Sequence, residues 1–212
     1  MRNFNDLFTR LKFTKTRIHY ALSFYAVLVS IASLVAWRGN QYPFYMTIIS
    51  YYALTIYLLG YFKFPQNVNN VLYAFALTMH VIVPLVFWTM LKQAFDMDVN
   101  PFSRFVTFLV HGLDFVLILI HFFMFKNPLP AISILWNAAI IMVYVGWAWI
   151  GYAITGIFVY PFIDFQNPFA MYAYPGLFIL NIMVSSAWVF IHRYRDRRIN
   201  RVGSEKLVDS PV

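Results

Sequence analysis

Six apolar runs, at 18–37, 43–62, 71–91, 103–125, 130–151 and 173–192, follow one another along the chain with only short polar breaks between them. Each approaches the roughly 20 residues that a helix needs to cross a hydrocarbon core of about 30 Å. The breaks carry turn chemistry: Gly39-Asn40 before Pro43, Pro65 to Asn70, Asn100-Pro101, Asn127-Pro128 with Pro130, and Asn167-Pro168. The uncharged stretch from Asn127 to Ile163 exceeds one helix. It predicts a fifth span followed by an apolar outer segment ending in Val159-Tyr160-Pro161-Phe162. The expected fold is therefore all-α: one bundle of six transmembrane helices, with short connections, no soluble domain and no internal repeat of the transporter kind.

Composition agrees with this reading. Of 212 residues, 61% are hydrophobic and 11% charged, and 21% are aromatic, a class that fills helix contacts and gathers at membrane interfaces. No cysteine is present, which excludes disulfides, thiolate nucleophiles and Cys-ligated metals. The net charge of +8 is concentrated at the ends, with Arg2, Arg10, Lys12, Lys15 and Arg17 at one and Arg193, Arg195, Arg197, Arg198, Arg201 and Lys206 at the other. In a membrane protein such ends lie in the cytosol against anionic headgroups, so no nucleic-acid partner is expected. The chain divides into a basic cytosolic N-terminus (1–17), a six-helix domain (18–192) and a basic, then disordered, cytosolic tail (193–212). The first run is longer than a signal-peptide core and no cleavage site follows it, so it is expected to stay as a membrane helix. The endoplasmic reticulum is the expected compartment, with the plasma membrane as the alternative.

Ionisable residues inside spans carry the functional signal. In Phe105 to Phe125, FVTFLVHGLDFVLILIHFFMF, His111 and Asp114 fall well inside the run, where such groups are costly unless they face a partner or water. Three residues apart, they are expected on one helix face. His80 lies in the third span, with a structural hydrogen bond and a supporting role evenly matched. His121 reads as a satisfied side chain near the inner end, and His19 and His192 as interface markers. Thr47 stands four residues past Pro43. A hydroxyl becomes nucleophilic when an imidazole removes its proton and a third group orients the ring. Thr47, His111 and Asp114 supply those types. Donors for a developing oxyanion are expected from Asn181, Tyr160 or Trp147. Two other readings stand beside a hydrolase: a b-type haem redox protein, with His80 and His111 as one axial pair, and a non-catalytic scaffold or small transporter. Zinc hydrolysis lacks an HExxH motif, a rhomboid-type site lacks Gly-x-Ser-Gly, and no cofactor or metal is expected.

Three segments resemble one family. Thr155-Gly156-Ile157-Phe158-Val159-Tyr160-Pro161-Phe162, Val110-His111-Gly112-Leu113-Asp114 and Phe44-Tyr45-Met46-Thr47 are similar to segments of the androgen-induced / ADTRP family, whose members carry T-G-x-W-V-Y-P-F and N-H-G-x-H motifs. The likeness extends over about residues 18 to 190 in span number and order. It implies an intramembrane threonine hydrolase that cleaves fatty acid esters of hydroxy fatty acids, with Thr47 as nucleophile and His111 as base. Its substrate would be a lipid with acyl chains, admitted from the membrane. The chain departs from the motifs at Val110, where members have Asn, and at Asp114, where many have a second His. Tyr152 and Ala153 stand where some members have histidines.

Overall fold

A computed structural model describes residues 4–37, 42–125 and 127–208, and all the regular structure among them is helical. Helix α1 spans Phe4–Ala36, α2 Met46–Gly60, α3 Gln66–Val86, α4 Lys92–Met97, α5 Pro101–Phe108, α6 Asp114–Met124, α7 Ser133–Thr155 and α8 Ala170–Val208. Two π-helical turns, Phe87–Leu91 and Leu109–Leu113, join α3 to α4 and α5 to α6 without breaking the rods. The expected turn at Gly39-Asn40 lies outside the described residues.

Among the described residues, five stretches are long and apolar enough to cross a membrane: Thr14–Ala36, Gln66–Leu91, Pro101–Met124, Ser133–Thr155 and Ala170–Arg198. The second expected span is shorter than the rest. Helix α2 has 15 residues, about 22 Å at 1.5 Å per residue, against a core of about 30 Å. Its start is delayed because Pro43 sits in a 3₁₀ turn, Tyr42–Phe44, and Tyr45 is extended at φ −73°, ψ 127°. Its end is early because the chain turns at once: the amides of Lys63 and Phe64 both donate to the Gly60 carbonyl, and Pro65 follows.

The other boundaries also follow local chemistry. Asn100 caps α5, its Oδ1 accepting from the amides of Phe102 and Ser103 at 3.0 and 3.3 Å, with Pro101 at the first helical position. Helix α7 runs on to Thr155 rather than 151. It stops at Gly156, whose φ of +74° is a left-handed conformation that glycine adopts without steric cost. The expected outer segment follows as irregular chain with a 3₁₀ turn at Pro161–Ile163. Helix α8 continues past 192 to Val208, so the expected tail is helical that far, and 209–212 lie outside the described residues.

Helix α3 is the hub, packed against α2, α6, α7 and α8. Near its middle, Asn137 of α7 donates to Thr78 Oγ1 of α3 (2.8 Å) and Ser185 Oγ of α8 (2.9 Å), tying three helices by hydrogen bonds where burial in lipid gives no hydrophobic drive. His19 and His192 were expected at the membrane surface. Both are buried, His19 against Tyr61, Phe62 and Phe125 and His192 against Tyr73 and Phe122. There the Nδ1–H of His192 donates to the Trp188 carbonyl and its Nε2 meets the Tyr73 hydroxyl at 3.1 Å. His121 pairs through Nδ1 with the Tyr57 hydroxyl, which also takes the Asn127 amide.

Candidate active site

The start of α2 is held by three bonds across the fold. The Met46 amide donates to the Tyr160 hydroxyl (3.0 Å), the Tyr144 hydroxyl to the Phe44 carbonyl (3.1 Å), and Trp147 Nε1 to the Pro43 carbonyl (3.0 Å). Gly151 of α7 makes room for this strap, since a Cβ there would stand 2.6 Å from the Phe44 ring. Met46 and Thr47 are buried, so α2 begins inside the protein, covered by the 160–163 segment. A start inside the protein places Thr47 level with His111.

The two side chains meet. Thr47 Oγ1 lies 3.1 Å from His111 Nε2. His111 Nδ1 lies 2.9 Å from the Thr107 carbonyl. A carbonyl only accepts, so Nδ1 carries the hydrogen, and in a neutral ring Nε2 then has a bare lone pair. The Thr47 hydroxyl therefore donates to Nε2, the polarity that general-base activation requires. Phe87 stacks on the imidazole at 3.7 Å between centroids and 23° between planes. Trp88 Nε1 donates to the His111 carbonyl at 2.8 Å. His111 lies in the second π turn and Phe87 and Trp88 in the first. The two underwound turns thus face each other across the site, a placement in which π turns recur.

Asp114 does not orient this ring. Its Oδ2 lies 3.4 Å from His80 Nε2, not aligned for a hydrogen bond, and its Oδ1 accepts the Phe115 amide. His80 Nδ1–H donates to the Ala76 carbonyl at 2.8 Å. The Thr107 carbonyl takes the part expected of Asp114, because the wide turn at 109–113 swings position 114 away from the face of position 111. His80 and His111, weighed as a haem-binding pair, present Nε2 to different partners, Asp114 and Thr47. Among the described residues no group of three His, Asp or Glu side chains is placed to hold a metal ion.

Thr47 and His111 open onto a cavity of about 270 Å³ between α3, α7 and α8. Its wall is aliphatic and aromatic, from Met79, Val83, Ile141, Phe162 and Leu177 among others, and none of its lining residues is Lys, Arg, Asp or Glu. Met142 lines it while remaining 60% exposed, so the cavity reaches the outer surface of the bundle beside α7. Of the three expected oxyanion donors, Tyr160 and Asn181 line this cavity. Trp147 does not: it is 40% exposed and its N–H is committed to Pro43. Sequence reading missed Thr107, Phe87, Trp88 and Tyr144. Phe87 is one of 23 phenylalanines, and nothing in its neighbours sets it apart. The Pro84 that precedes it by three residues is the one available cue to a disturbed helix.

Among the described residues, the fold and site define an all-helical protein with five helices of membrane-spanning length and a buried hydroxyl–imidazole pair at the wall of an apolar cavity. No family model, no curated protein and no solved structure matches the chain.

Proposed function

We propose that the protein is an intramembrane lipid hydrolase that cleaves an acyl ester by a covalent mechanism on Thr47. The observation that carries this reading is the 3.1 Å contact between Thr47 Oγ1 and an imidazole nitrogen left unprotonated by the Thr107 carbonyl. His111 Nε2 takes the Thr47 proton as Oγ1 attacks the ester carbonyl carbon. The tetrahedral intermediate collapses, the C–O bond to the alcohol breaks, and Nε2–H protonates the departing alkoxide. Water then attacks the acyl-threonine, giving its proton to Nε2, and collapse releases the acid and restores the Thr47 hydroxyl.

The cavity supports a lipid substrate. An aliphatic wall suits an acyl chain, and the opening beside Met142 gives a lateral route from the bilayer. The resemblance to the androgen-induced / ADTRP family points to a fatty acid ester of a hydroxy fatty acid. In this reading α2 is a sixth crossing, short because the 42–46 strap and the 160–163 segment complete its depth. Both basic ends lie in the cytosol, the site lies toward the opposite leaflet, and the endoplasmic reticulum is the compartment.

A fluorophosphonate probe tests the nucleophile. Detergent-solubilised protein should be labelled at Thr47, label should be absent from Thr47→Ala, and the rate should fall about 10²-fold or more in His111→Ala. Label at a different residue in Thr47→Ala would reject this nucleophile.

A further inference from the structure

Asn181 is 1% exposed and lines the cavity shared by Thr47 and His111, yet neither its Nδ2 nor its Oδ1 has a hydrogen-bond partner. Buried polar atoms are nearly always paired, and an orphaned one calls for an explanation. A primary amide has two donors and an acceptor, and all of them idle here. The neighbouring network does not use it. One turn further along α8, Ser185 is engaged with Asn137 and Thr78, while Asn181 stands outside that cluster facing the cavity. Position 181 is otherwise suited to an apolar residue, with Leu177 and Phe178 one turn back on the same wall.

We infer that Asn181 is the carbonyl-binding group of the site: its Nδ2–H holds the substrate carbonyl oxygen and the oxyanion that forms from it, and its Oδ1 holds the attacking water. This rests on the Thr47–His111 hydrolase reading and deepens it by assigning the electrophilic side of the reaction. The remaining polar cavity groups leave the role open. The Tyr144 hydroxyl donates to the Phe44 carbonyl, the Tyr174 hydroxyl donates to the Ile163 carbonyl, and the Tyr160 hydroxyl accepts the Met46 amide and is bonded to its neighbours Thr47 and Tyr144. The same arrangement narrows the substrate. With a neutral amide as the unpaired donor and no charged residue among those lining the cavity, the group received beside Thr47 is an uncharged carbonyl, an ester or thioester, and not a phosphodiester headgroup. When Thr47 Oγ1 bonds to the carbonyl carbon, the C=O electron pair moves to oxygen. The new charge is met by Nδ2–H, the proton from Thr47 resides on His111 Nε2, and no further reactant is needed beyond water.

The test uses full-length protein in detergent, with a fluorophosphonate whose phosphoryl oxygen occupies the oxyanion position and a medium-chain p-nitrophenyl ester as substrate. Asn181→Leu and Asn181→Ala are compared with wild type for labelling rate at Thr47, kcat, KM and Tm. The expected result is a fall of about 10²–10³-fold in labelling rate and kcat, the loss seen when an oxyanion donor is removed. KM should change little. Tm should be unchanged or raised in Asn181→Leu, because the amide removed has no partner in the folded protein. Wild-type labelling at Thr47 with an equal rate in both variants would overturn the assignment and leave the hydrolase reading standing. A fall in Tm of more than about 4 °C in both variants would overturn it too, since that marks a packing residue. Failure of wild type to label or turn over would overturn both readings together.

Discussion

Thr107 and His111 lie one turn apart on the same rod, and the 2.9 Å contact of the Thr107 carbonyl with Nδ1 leaves Nε2 free to accept from Thr47. A backbone acceptor cannot be removed by mutation, so the tautomer survives every side-chain change around it. Asp114→Asn is therefore expected to keep Thr47 labelling within about 3-fold of wild type, because Asp114 shares no hydrogen-bond partner with the site. A loss as large as that of His111→Ala, in the same labelling assay, would return Asp114 to the catalytic group. Tyr160 acts differently, through position. Tyr160→Phe leaves the Met46 amide unsatisfied at a buried helix start, which costs about 1–3 kcal/mol. The expected outcome is a lower Tm in a detergent melt and a labelling rate reduced less than in His111→Ala.

The two π turns are the elements on which the site depends, and each holds one extra residue in a helical rod. Deleting Gly112 should let Leu109–Leu113 relax to α-helix and rotate His111 by about 100° relative to α6. Far-UV circular dichroism should stay near wild type while Thr47 labelling is lost. Retained labelling would mean that the register of this turn does not place the imidazole. Gly151→Ala probes the other support. Its Cβ would stand 2.6 Å from the Phe44 ring, an overpacking that costs about 1–3 kcal/mol, so a lowered Tm accompanied by slower labelling is expected. These elements also mark the limit of what could be read from the chain. Apolar runs and Pro/Asn breaks located the helices, because length and hydrophobicity decide what a rod in lipid can be. Thr47, His111, Tyr160 and Asn181 were named from residue type and motif, and the structure gathers all four at one cavity. The partnership of Asp114 with His111 was misread because spacing of three implies a shared face only in a regular α-helix. The shortness of α2 was hidden for a similar reason: hydropathy continues through Tyr61 and Phe62 although the chain has already turned at Gly60.

At the scale of the whole molecule, the crossing number decides where the ends lie, and α2 is the element that sets it. Its 15 residues fall short of a full membrane thickness, yet it packs along α1 and α3 through the core. Tyr57 and Leu58 of α2 are buried with Leu22 of α1, Tyr73 of α3 and Val189 of α8. A helix whose first residues meet the cavity and whose last residues meet the opposite cluster traverses the bundle. Under the proposed six-crossing topology the connection at 61–65 would lie on the same side as both termini, and the connections at 98–100 and 164–168 on the other. If α2 instead turned back, the 61–65 connection would stay on the side reached by the end of α1, and every later connection and the C-terminus would invert. N-glycosylation acceptors inserted one at a time separate these topologies. Modification is expected at 98–100 and at 164–168, with none at 61–65 or after Val208. Glycosylation at 61–65 together with the C-terminal acceptor would establish five crossings and move the basic tail of α8 to the far side of the membrane.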